Sequence, residues 1–419
     1  MGMSEFSLAM QSLEREPLLS YKRDSDQFSK WHKWMKVFVV LVIVITHLLI
    51  VCTTFTEYTS TLYRTKPGFY YLAIAKCSAE IIKFNLIIAI MSKCKSIILL
   101  FRLYWLLGSD KIHYISTFLM FTLTLIHICA HTLLMASYGS GLSQPAITGV
   151  VIVFILFIIG SSSSPTLRKA NFQIFYYCHK LVWLIIPIMY LHGSSCFISS
   201  LYNKKCKQSP LYLWIAVSFL MLEFILRRPI FVDSYKSFIG NTIQVRFKLP
   251  FTFNAGQYIN VINPRLNNIP HPFTILSHPN EQSAVITIFK KGYWTTNMRS
   301  TDPLYITGPF NTSAMDIFKY SHVTIICSGM GITPFLSIIS SIHMQQYKVY
   351  IKLFWIVNDC DITNLFQFPK VYWLDIKILT YQECNTMSCF DEVVFICTND
   401  TLFKKIKKSR QEKQTIRVS

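Results

Sequence analysis

Residues 112–131 read IHYISTFLMFTLTLIHICAH, and residues 172–192 read FQIFYYCHKLVWLIIPIMYLH. Each stretch has about the 20 residues needed to cross a bilayer, yet each carries histidines. His113 and His127 stand 14 residues apart. That is almost four helical turns, so both rings leave one face about 21 Å apart along the axis. His179 and His192 stand 13 residues apart, about 20 Å on a helix and read here as nearly one face. Two helices with matched pairs can clamp two stacked planar groups, one near each leaflet. Haem iron takes imidazole axially, and two imidazoles per iron make an electron carrier. A single membrane histidine could equally be a packing or proton-relay group, although ionisable groups at that depth are generally functional. Four in matched pairs favour two haems, and hence a relay across the hydrocarbon layer.

The composition agrees with a membrane class. Of 419 residues, 52% are hydrophobic and only 15% charged, more apolar than a soluble chain. The formal net charge of +20 does not require nucleic acid, because basic flanks near anionic lipid heads account for it. A basic domain also attracts phosphate-bearing cofactors. The first 30 residues are polar and show no cleavable signal peptide. The twelve cysteines lack CxxC spacing, which argues against zinc or iron–sulfur ligation. No calcium loop of the EF-hand pattern is present.

Six apolar stretches are expected to span the membrane: 37–52, 69–91, 112–137, 146–160, 172–193 and 210–226. With the N-terminus inside, inner segments hold fourteen Lys or Arg (among them Lys93, Arg102, Lys111, Arg168 and Arg228) against five in outer loops. Both termini are therefore expected to be cytoplasmic. Cys196 and Cys206 fall in the last outer loop, on the oxidising side, as a disulfide or as two thiols.

After Arg228 the texture changes. Alternating runs at 242–248 and 284–288 read as antiparallel strands. From His322 an apolar strand over 323–327, a Gly-rich turn, a helix to about Met344 and a second strand over 350–357 have βαβ texture, the mark of a parallel nucleotide-binding sheet. Gly329-Met330-Gly331-Ile332-Thr333-Pro334 directly follows the first strand and opens the helix. There, backbone N–H groups can cradle a pyrophosphate; a plain tight turn is the simpler alternative.

From about Gly68 onward the chain resembles the NADPH oxidase branch of the ferric reductase/NADPH oxidase superfamily. The resemblance rests on Phe84-Asn85, Cys94, His113 and His127-x-x-x-His131. It continues through Ile147-Thr148-Gly149-Val150-Val151, Arg168, Phe175-Tyr176-Tyr177-Cys178-His179 and His192-Gly193. It implies that His113 and His179 hold the inner haem and that His127 and His192 hold the outer one. His131 and Lys76 fall where the family places a His and an Arg beside the oxygen-reducing face, so both are catalytic candidates. Here Lys keeps the charge but loses the planar fork. A polar interface residue and a snorkelling lysine are their simpler readings.

In the soluble half, His271-Pro272-Phe273-Thr274 resembles the flavin motif, with Gly256-Gln257-Tyr258-Ile259 before it. Gly292-Tyr293-Trp294-Thr295 resembles the segment near the flavin pyrophosphate, making Gly292 and Thr295 candidates there. Gly308-Pro309-Phe310 marks the end of the barrel. Gly329, Gly331, Thr333 and Pro334 are candidates for NADPH. Cys397 matches the Cys of a late Cys-Gly-Pro motif, but Thr398-Asn399 replaces Gly-Pro. The interval from Gly331 to Cys397 is short for the family, sheet strands are expected to be missing, and Lys404 to Arg417 reads as a basic tail.

The implied architecture is an α-helical membrane bundle of six transmembrane helices. A cytoplasmic ferredoxin-reductase-like antiparallel β-barrel for FAD and a shortened α/β nucleotide-binding domain for NADPH follow it. The expected boundaries are 1–35 (cytoplasmic segment), 36–228 (haem domain), 229–318 (FAD domain) and 319–419 (NADPH domain). The implied function is electron transfer from NADPH through FAD and two b-type haems to molecular oxygen, giving superoxide. Membrane lipid is an expected partner and nucleic acid is not. The resemblance leaves room for an accessory membrane protein and cytosolic activators, at a plasma membrane. Two alternatives stay open: a ferric-chelate reductase with the same relay, and a catalytically weak oxidase-like haem protein.

Overall fold

The computed structural model describes residues 25–60, 68–100, 109–138, 143–194, 211–345, 347–357, 363, 365, 366, 368–381, 383, 393–409 and 414–418. It divides into two compact units, Asp26–Arg227 and Arg228–Ser419. Cys196 and Cys206 lie outside the described residues.

The first unit is helical: α1 (Ser25–Tyr58), α2 (Phe69–Met91), α3 (Lys95–Leu100), α4 (Ser109–Tyr138), α5 (Gln144–Ser162), α6 (Pro165–Ala170), α7 (Phe172–His179), α8 (Val182–Ser194) and α9 (Leu211–Leu226). Among the described residues, four spans are long and apolar enough to cross a membrane: 37–58, 111–137, 144–162 and 172–194. Helix α2 is long enough at 23 residues but carries Lys76, Glu80 and Lys83, and α9 has 16 residues. The surface is inverted relative to a soluble bundle. Phe118, Phe154 and Phe224 are 63%, 65% and 70% exposed, which is stable only against an apolar solvent. Inside, Ala73, Ala75, Ala130 and Ala216 are buried, and such small residues let membrane helices approach closely.

The fifth apolar stretch departs from expectation. It is two helices, interrupted at Lys180-Leu181, where Leu181 N bonds to Cys178 O and Trp183 N to Lys180 O in the tighter i→i−3 pattern. Thirteen residues of unbroken α-helix turn through about 220° beyond whole turns, placing His179 and His192 on nearly opposite faces rather than one. The interruption re-aims α8 and brings both rings to the same side. Pro187, inside α8, supplies no N–H to the ladder and loosens the same segment.

In the second unit, β1 (Ile230–Val232), β2 (Ser234–Ile239), β3 (Thr242–Phe247), β4 (Tyr258–Asn263), β5 (Asn267–Thr274), β6 (Ala284–Phe289) and β7 (Leu304–Phe310) form two antiparallel sheets, β1-β7-β4-β5 and β2-β3-β6. Their alternate residues share one core, including Ile243, Val245, Ile259, Val261, Ile286, Ile288 and Ile306. This is the period-two burial that the alternating runs imply. The short α10 (Tyr293–Thr296) follows β6.

The parallel sheet is fuller than its length suggested. Strands β8 (His322–Ser328), β9 (Tyr350–Ile356), β10 (Leu374–Leu379), β11 (Val393–Cys397) and β12 (Gln414–Arg417) are ordered β10-β9-β8-β11-β12, with α11 (Thr333–Gln345) after β8 and α12 (Asp400–Ser409) after β11. Numbered within the domain this is 3-2-1-4-5; all neighbours are parallel, and the order in which strands are added reverses between β8 and β11. The expected basic tail is thus a helix and a strand. Leu402 and Ile406 bury one stripe of α12 against Ile326, Val394 and Ile396, and Val418 is buried on the other face of the sheet. The lysines mask this stripe in a composition reading.

Candidate functional site

Helices α2 and α4 position one side of a histidine ladder. His113 Nδ1 donates to Ala89 O at 2.9 Å, and His127 Nδ1 donates to Ala75 O at 2.9 Å. A carbonyl only accepts, so both Nδ1 atoms carry the proton and both Nε2 atoms keep the ring lone pair. The two carbonyls are 14 residues apart on α2, as the two histidines are on α4, so the same contact repeats four turns along the helix pair. Ser78 Oγ lies 3.3 Å from His127 Nδ1 as a second partner.

The other side comes from α7 and α8. The ring centres of His113 and His179 are 6.2 Å apart, and those of His127 and His192 are 6.3 Å apart. His192 Nδ1 donates to Thr148 Oγ1 at 3.1 Å, while Thr148 Oγ1 donates onward to Gln144 O. A Cβ on Gly149 would sit 3.2 Å from His192 Cε1, so α5 supplies both an acceptor and the room for that ring. Among the described residues, His179 Nδ1 is buried without a hydrogen-bond partner.

These distances can be tested against a group held between two imidazoles. Metal–nitrogen bonds of about 2 Å, with each ring centre about 1.1 Å behind its nitrogen, separate the ring centres by about 6.3 Å. Both pairs match. Two orienting acceptors on backbone carbonyls and one on a threonine are the outer contacts that metal-ligating histidines use to fix tautomer and aim.

His131 packs edge-on against His127 with ring centres 4.6 Å apart. Lys76 lies within electrostatic reach of His127, His131 and His192, and 5.9 Å over the Tyr58 ring. Thus both catalytic candidates gather at the His127–His192 end. Other parts went unseen in the sequence. His47 on α1 accepts from Asn85 Nδ2 at 2.8 Å and donates from Nδ1 to Ile43 O at 2.7 Å; Phe84-Asn85 was the only hint. Glu223, buried on α9, accepts from Ser96 N at 3.1 Å and Ile97 N at 3.2 Å, and pairs with Arg227. It ties the segment after α2 to the last helix.

In the second unit, β5 puts His271 and Phe273 on one face and Pro272 and Thr274 on the other. His271 and Phe273 stack on Trp294 of α10 at 4.2 and 5.9 Å. Burial pushes the His271 imidazole below its ordinary pKa, and its Nε2 has no hydrogen-bond partner. Pro272 is exposed and Thr274 half-buried, so the flavin motif divides: two residues brace α10 and two face outward. Thr295 Oγ1 accepts from Lys291 N at 2.9 Å and Gly292 N at 3.0 Å, and donates to Gly292 O. Its hydroxyl shapes the loop rather than standing open to a ligand.

The Gly329–Ile332 turn opens α11 at Thr333. Gly329 has φ +50°, Trp355 Nε1 donates to its carbonyl at 2.9 Å, and Thr333 Oγ1 donates to Met330 O at 3.0 Å. A Cβ on Gly331 would fall 2.3 Å from Cys397 O, so only glycine lets the turn lie on the end of β11. Pro334 is buried in the first turn of α11. Turn and Cys397 therefore meet at the carboxyl ends of β8 and β11, where the strand order reverses. That crevice is where open α/β sheets bind nucleotides.

Helices suited to a membrane, followed along the chain by antiparallel and then parallel sheets, define the class: candidate membrane helices joined to an FAD/NAD module. Comparison with known families agrees. Residues 230–305 match an FAD-binding domain and residues 320–388 match the ferric reductase NAD binding domain. By sequence the chain is similar to several NADPH oxidases. It is 27% identical over 62% of its length to a superoxide-generating NADPH oxidase heavy chain of Dictyostelium discoideum, covering 39% of that protein. It is 24% identical over 72% of its length to a probable respiratory burst oxidase homolog of Arabidopsis thaliana, covering 41% of it. It is 27% identical over 52% of its length to NADPH oxidase 1 of Rattus norvegicus, covering 46% of it. The chain thus spans less than half the length of these curated relatives.

Proposed function

We propose that this chain is a transmembrane NADPH oxidase: electrons from cytoplasmic NADPH pass through FAD and two b-type haems to molecular oxygen, producing superoxide. When bound, the nicotinamide and flavin supply hydride chemistry and the haem irons supply one-electron transfer. The observation that carries the reading is the pair of histidine separations, 6.2 and 6.3 Å, each suited to one iron between two imidazoles. In this reading the bundle has six membrane-crossing helices, both termini are cytoplasmic and the two antiparallel sheets are the flavin barrel.

The residues do the following work. His113 and His179 would hold one haem iron, and His127 and His192 would hold the other. Ala89, Ala75 and Thr148 fix three of the four rings with Nε2 as the unprotonated nitrogen. At the edge of the His127–His192 site, His131 would donate a hydrogen bond and Lys76 would supply positive charge to a bound anionic acceptor. Thr274 and the β5 backbone take the flavin, with His271 and Phe273 bracing the strand from behind. Gly329, Gly331 and the start of α11 take the nucleotide phosphates, with Cys397 beside the nicotinamide end.

An anaerobic difference spectrum of purified membranes tests this. NADPH alone is expected to bring up reduced b-type bands, and dithionite to add little more; admitting oxygen then yields superoxide. Bands with dithionite only would overturn the complete relay, leaving a haem protein that does not use NADPH. Reduction of an external ferric chelate in preference to oxygen would reassign the acceptor.

A further inference from the structure

We infer that Cys327 and Cys397 are a peroxide-sensitive dithiol whose oxidation to a disulfide closes the nucleotide crevice. The inference rests on the reading above that nucleotide binds over the Gly329–Thr333 turn.

The register carries the first step. Strands β8 and β11 are parallel neighbours with Cys327 directly opposite Cys397. Neighbouring strands lie about 4.8 Å apart, inside the roughly 4.4–6.8 Å Cα separation that a disulfide spans. The two side chains share a face. Both join the cluster of Ile325 and Phe395, whereas Ile326, Val394 and Ile396 pack on the opposite face. Both residues are in the thiol form rather than in a disulfide.

Position gives the pair its consequence. These strands are the first and fourth of the domain, flanking the point where strand order reverses, and both cysteines sit at the carboxyl ends. A Cβ on Gly331 would lie 3.3 Å from Cys397 Sγ and 2.3 Å from Cys397 O. No slack separates the thiol from the glycine turn, and Trp355 holds Gly329 from the other side. Drawing Cys397 Sγ across to β8 displaces the end of β11 under Gly331, and the turn moves with it.

Burial assigns the order of events. Cys397 is partly exposed and Cys327 fully buried, and burial also raises the Cys327 thiol pKa well above its ordinary value. Cys397 therefore meets the oxidant first. Its sulfur takes one oxygen from a hydroperoxide, giving a sulfenic acid and releasing the alcohol, or water from hydrogen peroxide. The Cys327 sulfur then attacks that sulfur; the S–S bond forms and the hydroxyl leaves with the Cys327 proton as a second water. One peroxide is reduced and two thiols are oxidised. Nucleotide seated on the turn covers Cys397 and slows the first step.

The test uses the full chain purified in detergent. Hydrogen peroxide is added with and without NADP+, and denatured samples are alkylated and mapped by mass spectrometry. NADPH affinity is followed by fluorescence titration. A peptide linking Cys327 to Cys397 is expected, with at least tenfold weaker NADPH binding that dithiothreitol restores, and NADP+ is expected to suppress the link. Cys327→Val should give no linked peptide and instead a dimedone-reactive sulfenic acid at Cys397. Two alkylatable thiols after peroxide would overturn the dithiol, and a link without loss of affinity would overturn crevice closure. If the reduced chain binds no NADPH, the nucleotide reading falls, and the linked peptide still decides whether the dithiol exists.

Discussion

His127 Nδ1 donates to the carbonyl oxygen of Ala75 at 2.9 Å, which leaves Nε2 as the only lone pair of that ring. Four turns away His113 makes the same bond to Ala89. The second helix thus sets the tautomer of two proposed ligands mainly through backbone carbonyls, with Ser78 Oγ a further partner of His127. If each pair holds one iron as proposed, replacing His127 or His192 by Leu is expected to remove about half of the bound haem. His47→Leu leaves both. Pyridine haemochrome content per chain checks all three.

Thr148 and Gly149 act on His192 in different ways. Thr148→Val removes the hydroxyl acceptor for Nδ1, leaving the Pro145 carbonyl, and is expected to weaken haem retention by about tenfold, while Thr148→Ser restores it. Gly149→Val pushes a side chain into the ring edge, where even a Cβ stands only 3.2 Å from Cε1. It should shift the midpoint potential of one haem and leave the other unchanged in a redox titration.

Gly331→Ala places a methyl 2.3 Å from Cys397 O, a backbone atom that cannot swing aside. NADPH affinity is expected to fall by at least tenfold, about 1.4 kcal/mol, with flavin content unchanged. Fluorescence titration and released flavin on the same sample separate the two.

Asp302 anchors the antiparallel sheets. Its carboxylate, 2% exposed, accepts from Asn263 Nδ2 at 2.8 Å and Arg299 N at 3.0 Å and faces Arg265. Although burial alone would raise its pKa, the Arg299 N–H, Asn263, Arg265 and Lys236 together hold it below the usual carboxylate value. Asp302→Ala strands those donors and should destabilise this unit by about 3 kcal/mol, read as a lower urea midpoint.

His271 gives a pH dependence of known sign. Burial lowers its folded pKa, so below about 6.5 the unfolded chain binds more protons. Its contribution is fully present above about pH 6.5 and is lost as pH falls through the folded value. The urea midpoint should drop between pH 7.5 and 5.5, and His271→Phe should flatten that drop.

The apolar runs, the alternating strands and the βαβ segment were all legible in the chain, because burial period and span length are local properties. The strand expected over 323–327 is β8, and the helix ending near Met344 is α11. The proposed ligand set was legible too, since histidines are scarce at membrane depth and stand out. The missed parts are those without local cost. Ala75 and Ala89 act through backbone carbonyls, which every residue has, and Trp294 braces β5 from 21 residues beyond Phe273.

Sequence by itself determined which residues could be ligands and where helices and strands would run, because side-chain chemistry and hydrophobic period are written residue by residue. Only the tertiary structure decided that His179 and His192 face the same way. That alignment depends on the interruption at Lys180-Leu181, and an unbroken helix would have turned the rings apart. It also decided that a stretch read as a basic tail completes a parallel sheet, and that Cys327 lies opposite Cys397 across 70 residues of chain. Strand order is a property of which surfaces pack together, and no local pattern encodes it.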